Sequence, residues 1–518
     1  MRDRRRHTIL APGGLPSADA LPSRPRVVVV GAGIAGLTAA TGLAERGISV
    51  DVVERERYLG GRVGGWTEQH EGPEGTDLPM NRGFHAFFRQ YYNLRALLRR
   101  VDPQLSMLTP VDDYPLIDGA GRRDTFRGLP RTPPWNALLF ALRSPTFRFS
   151  DLARINARAA APLAAVSVPQ IYEDLDHTDA ETFLKAINFP IPARHLAFEV
   201  FSRSFFADPT QLSAAELATM FHIYFLGSSE GLIFDVPDAN YDVALWNPLK
   251  HYLTKRDVRF RLGTKVESIE TSRGASVGIG SENAFRVRID SDEQLNADAV
   301  VLATDVAGLQ HLVGASDDLG DESWRANIQR LRTAPTFAVH RLWLDRPVAP
   351  HRPAFLGTAG HEPIDNISVL ERYEHEAAQW AQRHHGSVVE LHSYALRSAL
   401  PDNAMLDRLH ELYPETKAAK VVRERVLYRS DCPLFAPGTF AHRPHITTPQ
   451  PGLVLAGDGI RVDLPVALME RAATSGWSAA NHLLAQWGVA GHSLSTVANE
   501  GRSPLLRWLA TRERHRRR

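Results

Sequence analysis

The sequence predicts an α/β fold. A parallel-sheet domain is assembled from both ends of the chain and interrupted by a mixed α+β substrate domain with a helical lid. Three stretches carry that expectation. Residues 27–54 read VVVVGAGIAGLTAATGLAERGISVDVVE, residues 55–65 read RERYLGGRVGG, and residues 452–485 read GLVLAGDGIRVDLPVALMERAATSGWSAANHLLA. In the first, four consecutive valines have the composition of a strand covered on both faces. Gly31, Gly33 and Gly36 follow at G-x-G-x-x-G spacing, Ile34 and Ala35 open an Ala/Leu-rich helical run, and a second β-rich strand ends in Glu54. Strand, turn, helix and strand with a terminal acid form the full context of a Rossmann-like dinucleotide fingerprint. Gly31 permits the tight turn, Gly33 lets the backbone approach a pyrophosphate, and Gly36 lets helix and strand pack closely. The helix start offers N–H groups to the phosphates, and Glu54 offers its carboxylate to ribose hydroxyls.

The second stretch extends this cradle. Arg55 follows the acid directly, Gly60 and Gly61 let a second backbone segment reach the ligand, and Arg62 presents a fork that binds phosphate oxygens in pairs. In the third, an apolar strand at 453–456 ends in Gly457-Asp458, and after a loop with Pro465 a long helix begins near Ala467. The G-G-R extension resembles that of flavoproteins related to amine oxidases and carotenoid desaturases, which implies FAD as the dinucleotide. In that group the strand–Gly–Asp segment lies along the ribityl chain and pyrophosphate. The helix after it aims its positive end at the flavin ring. Lys265-Val266-Glu267 resembles the strand whose valine backbone contacts adenine, and DAVVLAT at 298–304 resembles the strand returning to the cofactor. The FAD is expected to be non-covalent, because no Cys or His lies in an attachment pattern.

A chain of 518 residues calls for two or three domains. The expected division is a disordered basic arm at 1–24, cofactor-domain pieces at 25–90, 242–305 and 425–490, a lid and membrane-contact insertion at 91–241, a substrate domain at 306–424, and a basic tail at 491–518. The net charge of +1 selects neither nucleic acid nor acidic substrates. Cys432 is the single cysteine, which excludes an internal disulfide, an iron–sulfur cluster and a Cys-based metal site, and fits a reducing cytosol. No H-x-x-x-H pair, G-x-S-x-G elbow or metal-spaced carboxylate cluster is present, so neither metal nor nucleophile chemistry is indicated. The N-terminus is basic but lacks the apolar segment of a signal peptide, and no run reaches the roughly 18 apolar residues of a membrane span. Residues 505–509 set Leu505, Leu506, Trp508 and Leu509 among arginines, a pattern that lies on anionic membrane surfaces or belongs to a frayed, solvated helix.

Between the cofactor pieces, residues 132–142, 196–206 and 218–234 are rich in aromatic and aliphatic side chains. Three such segments beside a flavin suggest an apolar tunnel. Asn81 to Phe88, NRGFHAFF, matches the strand that passes the isoalloxazine in related flavoproteins. His85 is therefore a candidate for proton transfer or ring orientation, against the competing reading of a satisfied structural histidine. His222 is a weaker candidate.

NRGFHAFFRQYYNLRALLRRVDP, HLAFEVFSRSFFADP, FHIYFLGSSEGLIFDVP and DLPVALMERAATSGW together resemble the bacterial β-carotene desaturase/methylases, or isorenieratene synthases. The resemblance runs from about residue 26 to 506. It implies conversion of a β-ionone end ring to an aromatic ring by two two-electron oxidations and a 1,2-methyl shift that needs no methyl donor. A cation beside the gem-dimethyl carbon would be well faced by aromatic rings, for which Phe84, Phe87 and Phe88 are candidates. A carotene substrate also implies a peripheral protein at the inner face of the cell membrane, docking around 135–142. The alternatives are another flavin-dependent carotene desaturase or isomerase, an amine oxidase-like enzyme, and, from a different class, a non-redox prenyl-lipid chaperone. A chaperone has no need of Arg62 and Asp458.

Overall fold

A computed structural model describes residues 3–68, 78–193, 205–271, 284–290 and 293–517. The valine run forms the strand Arg26–Val30 at the centre of a five-stranded parallel sheet. Its order is Arg259–Leu262, Ser49–Glu54, Arg26–Val30, Ala299–Leu302, Leu453–Leu455. Alternate valines serve opposite faces, which is why the strand reads as continuously apolar. Val27 and Val29 pack toward the helices Ile34–Ala44 and Leu468–Gln486, and Val28 and Val30 toward a three-stranded antiparallel sheet of Val266–Thr271, Phe285–Ile289 and Gln294–Ala297. The two helices touch backbone to backbone: a Cβ on Gly476 would lie 2.3 Å from the Ala35 carbonyl oxygen. Sheet neighbours thus come from opposite ends of the chain, as an interrupted domain requires.

The insertion builds a seven-stranded sheet, ordered Val421–Arg429, Thr336–Leu344, Ser387–Leu396, Asn366–Val369, Phe355–Thr358, Leu116–Ile117, Arg123–Asp124. All its pairings are antiparallel except that of Phe355–Thr358 with Leu116–Ile117. Side chains alternate between its faces. Ala338, Leu342, Leu356, Ile367, Val389 and Leu391 pack with Met405 and Leu409 of the helix Ala404–Leu412. Phe337, Val339, Phe355, Asn366, His392 and Tyr394 face a cavity shared with the cofactor domain.

The lid is helical, as expected. It includes Trp135–Arg143, Gln170–Leu175, Ala180–Ala186 and Ala214–Phe221. The apolar stretch 218–234 ends that last helix, makes one wider π-helical turn at His222–Leu226, and leads to the strand Phe234–Pro237. Of the segment 196–206, residues through 204 lie outside the described residues.

Both chain ends differ from expectation. The arm 1–24 is not disordered over its described part. His7–Ile9 pairs antiparallel with Leu494–Thr496, Asp3 accepts the Ser229 N–H at 2.8 Å, and Arg6 donates to Ser495 Oγ at 2.7 Å. The tail begins with that strand and ends in the helix Pro504–Arg517. A basic, proline-containing arm is held here by backbone pairing to a partner almost five hundred positions away, which local composition cannot reveal.

Candidate cofactor and substrate site

One cavity of about 390 Å³ runs from the glycine cradle to the aromatic insertion. Gly31, Gly33, Ile34, Ala35, Glu54, Arg55, Gly60, Gly61, Arg62, Val266, Gly457 and Asp458 line it. Gly36 does not. It sits behind the turn, where a Cβ would come within 1.9 Å of the Gly31 carbonyl oxygen, so its role is to bring helix and strand together. Ala467 caps the helix Leu468–Gln486 from a buried position, and Leu468 and Met469 reach the cavity instead.

The cradle suits a dinucleotide on several independent grounds. The helix Ile34–Ala44 starts at Gly33 with no side-chain cap, which leaves its first N–H groups for a ligand. A Cβ on Gly33 would meet nothing closer than the Gly61 Cα at 4.0 Å, so that backbone is open to close approach. Gly31 has φ +102°, which a side chain would strain. Glu54 is buried, accepting the Ala32 N–H at 2.6 Å and the Glu56 N–H at 2.9 Å. Burial raises its pKa, while those two N–H groups act in the opposite sense. Its carboxylate retains lone pairs for ribose hydroxyls. The Thr304 hydroxyl, also in the wall, is buried without a partner among the described residues.

Arg62 Nη1 donates to Asp458 Oδ2 at 2.9 Å, and Nη2 to Asp458 Oδ1. This fork joins the second and third sequence stretches at the cavity wall. Arg55 instead reaches Asp305 at 2.7 Å and is half-exposed. At the start of the helix Leu468–Gln486, Leu468 has φ +52°, an unusual conformation for a branched residue. That helix also lacks a side-chain cap, and Leu468, Met469 and Ala472 at its start line the cavity, which brings its positive end to the wall.

At the substrate end Phe84, His85 and Phe88 line the cavity, but Phe87 does not. Phe87 and Phe88 are successive residues of one strand and point to opposite faces, so Phe87 is fully buried in the core. Around Phe84 and Phe88 the fold gathers Tyr114, Phe234 and Phe355. Ring centroids lie 4.6 Å apart for Phe84–Phe355, 4.8 Å for Tyr114–Phe234 and 5.5 Å for Phe88–Phe234. A second cluster joins Phe206 to Phe337 and Tyr394, at 4.7 and 4.9 Å. Sequence reasoning missed Tyr114, Phe337, Phe355, Asn366, His392 and Tyr394. For all but Tyr114, which precedes the strand Leu116–Ile117, the only signal was alternation along strands with no visible partner.

His85 Nδ1 lies 2.8 Å from the Gly83 carbonyl oxygen, which can only accept. Nδ1 therefore carries the proton and Nε2 is bare. Burial, with His392, Arg62 and Arg82 nearby, pushes its pKa down to about 4. His222 is buried within the lid, donating from Nε2 to the Ala498 carbonyl at 2.6 Å, a structural role. Cys432 also lines the cavity, and burial pushes its thiol up to about 12, so it stays protonated.

A parallel-sheet cradle with this arginine–aspartate fork, opening directly onto an aromatic chamber, defines an FAD-dependent oxidoreductase. The sequence pattern of the flavin-containing amine oxidoreductases matches residues 34–484. Over 514 residues the chain is 55% identical to a carotenoid phi-ring synthase of Streptomyces griseus, covering 98% of this chain and 97% of that one. A carotenoid phi-ring synthase of Chlorobaculum tepidum is 25% identical over 601 residues, with 93% and 92% covered. Cyclohexylamine oxidase from Brevibacterium oxydans shares the fold, with a TM-score of 0.63 at 16% identity over 89% of this chain and 100% of that one. The chain belongs to the flavin-containing amine oxidoreductase family, in the group of the Streptomyces phi-ring synthase.

Proposed function

We propose that this enzyme converts the β-ionone end rings of β-carotene to aromatic rings by desaturation coupled to a 1,2-methyl shift, giving isorenieratene. The observation that carries this reading is the continuity of the FAD cradle with a chamber walled by Phe84, Phe88, Tyr114, Phe234 and Phe355. The 55% identity to a protein named carotenoid phi-ring synthase supports it.

Bound FAD supplies the acceptor for hydride from an allylic ring carbon. The chain's own part is to seat the ring, exclude water and stabilise the positive charge that follows. Aromatic faces attract a cation most strongly where water is absent. Water exclusion also keeps the cation from being captured as an alcohol. One geminal methyl then migrates with its bonding pair to the neighbouring cationic carbon, and the ring sheds a proton. Each ring gives up two hydrides and two protons in all, an external electron acceptor such as a quinone restoring the oxidised flavin between the two oxidations, and every carbon is conserved.

The substrate is insoluble in water, and we propose that the protein takes it from a bilayer. We place the protein peripherally on the inner membrane face. Trp135, Leu138 and Leu142 form an exposed stripe on the lid helix, and Leu505, Leu506, Trp508 and Leu509 another on the C-terminal helix. No helix among the described residues is long and apolar enough to cross a membrane.

The test is expression in cells that accumulate β-carotene, followed by pigment analysis. The expected product carries trimethylphenyl end groups and the original carbon count, with no label from methyl-labelled methionine in the new ring. Extra double bonds confined to the linear chain would overturn this reading in favour of a carotene desaturase.

A further inference from the structure

The strand Ser387–Leu396 places Glu390, His392 and Tyr394 on one face, because side chains two residues apart share a side. They form a chain of hydrogen bonds. Tyr394 OH lies 2.8 Å from His392 Nδ1, and His392 Nε2 lies 2.8 Å from Glu390 Oε1. Glu390 Oε2 accepts from Arg341 Nε at 2.9 Å and from Nη2 at 2.7 Å. The proton positions follow. The Glu390 carboxylate accepts, so His392 Nε2 carries a hydrogen. In the neutral ring Nδ1 is bare and accepts the Tyr394 hydroxyl. The Phe84 N–H, 3.4 Å from the same Nε2, is too distant to compete.

Tyr394 and His392 line the cavity, together with Asn366, which donates from Nδ2 to the Tyr394 oxygen at 2.8 Å. Asn366 is itself 4% exposed, and its Oδ1 has no partner among the described residues. A buried polar edge of this kind is costly in an apolar chamber unless it serves a bound molecule or a reaction.

We propose that Tyr394 is the catalytic base of end-ring aromatisation, with His392 and Glu390 as a relay behind it. The inference rests on the reading of β-carotene as substrate. In this step a ring C–H bond breaks and its electron pair becomes the new ring double bond, the hydride having already passed to FAD. The proton goes to the Tyr394 oxygen as the tyrosine's own proton moves to His392 Nδ1. The phenol is regenerated and an imidazolium rests against Glu390. The proton passes to solvent before the next oxidation.

Two features favour this relay over His85. Burial alone would raise the Glu390 carboxyl, but the Arg341 charge and the bond from His392 bring it down to about 2. A fixed anion therefore compensates an imidazolium at His392. Among the described residues His85 has no such carboxylate, and burial beside His392, Arg62 and Arg82 opposes its protonation. Behind Glu390, Arg341 stays charged and anchors the anion, and its other side meets a second buried carboxylate. Arg341 Nη1 is 3.7 Å from Glu374 Oε1. Arg341 and Glu374 line a second cavity of about 380 Å³ that reaches the exposed residues Val243 and Gln379. Burial raises the Glu374 carboxyl to about 7, so Glu390 is the lasting counter-charge of Arg341.

The experiment is turnover of the FAD-loaded protein on β-carotene in detergent micelles, with a quinone added to reoxidise the flavin between the two oxidations, in water and in deuterium oxide. Wild type should form aromatic rings with a normal solvent isotope effect. Tyr394→Phe should keep its flavin absorbance and its binding of β-carotene, read by fluorescence quenching. Ring aromatisation should fall about a hundredfold, within the usual range for a lost general base, and the isotope effect should vanish. His392→Gln preserves a hydrogen bond to Tyr394 but takes no proton, and should behave alike. His85→Phe should retain the isotope effect. Aromatisation by Tyr394→Phe at the wild-type rate would overturn the relay alone, as would a loss of activity that only follows lost flavin or carotene binding. A wild-type protein that leaves the rings untouched would overturn the substrate reading and the relay with it.

Discussion

Arg62 and Asp458 stand at opposite ends of the chain and meet in a fork at the cavity wall. Removing the guanidinium from such a pair takes away the cation expected to meet the FAD pyrophosphate and leaves a mostly buried carboxylate unpaired at the cavity wall. Arg62→Ala should therefore weaken FAD binding by about 1.5–3 kcal/mol, the usual worth of a charged hydrogen bond. Dilution followed by flavin absorbance measures the loss. Glu54→Ala should act in the same direction through the ribose, and full occupancy in both variants would remove these residues from the cradle. The flavin itself should be released by denaturation, because the Cys432 thiol stays protonated until about pH 12 and offers no thiolate for attachment. Protein that stays yellow after acid precipitation would contradict this. At the same scale, His85 and His222 are both held down to about 4 by burial, against an ordinary value of 6.5. Between those values the unfolded chain binds protons that the folded chain does not. Their contribution to stability is present above pH 6.5, is lost as pH falls toward 4, and changes little below. Urea midpoints measured across that window should fall with pH, and His222→Gln should flatten the slope.

The strand Arg26–Val30 and the helix Ile34–Ala44 were legible because each signal is local: a valine run, then glycines at fixed spacing. Ser387–Leu396 was not. Its sequence, SVVELHSYAL, alternates apolar and polar residues and reads as a strand with one wet face. In the fold Glu390 and His392 are almost completely buried, because Arg341 and Tyr394 satisfy them. Alternation tells which residues share a face, but not whether that face meets water or a buried network. Phe87 was misassigned for the converse reason. Composition marked three phenylalanines as one lining, while the period of two along Phe87–Phe88 sends one of that pair into the core. The N-terminal arm shows the same limit at the level of an element. Residues His7–Ile9 have no apolar pattern, and their order comes from pairing with Leu494–Thr496. Deleting residues 1–11 should remove those hydrogen bonds and lower the thermal midpoint. An unchanged midpoint would mean that the pairing contributes nothing to stability.

At the scale of the whole molecule, an enzyme for an insoluble substrate needs an apolar chamber and a surface that reaches the bilayer. Trp135, Leu138 and Leu142 recur at helical spacing, so they share one face of Trp135–Arg143, and they are 61%, 45% and 58% exposed. Leu505, Trp508 and Leu509 repeat that spacing on Pro504–Arg517, with Arg507 and Arg512 on the same helix. Exposed apolar residues gathered on one face, rather than scattered singly, mark an interaction surface. Flanking arginines add about 1 kcal/mol each near an anionic surface. We therefore expect the protein to float with liposomes, more strongly when anionic lipid is present, and to be released by salt or mild detergent. Trp135→Asp with Leu138→Asp should abolish flotation on neutral liposomes while leaving FAD bound, since neither residue touches the cradle. Deleting residues 503–518 should instead remove the dependence on anionic lipid. A protein that ignored both kinds of liposome would show that carotene reaches the chamber by another route, through a carrier protein or a partner already in the membrane.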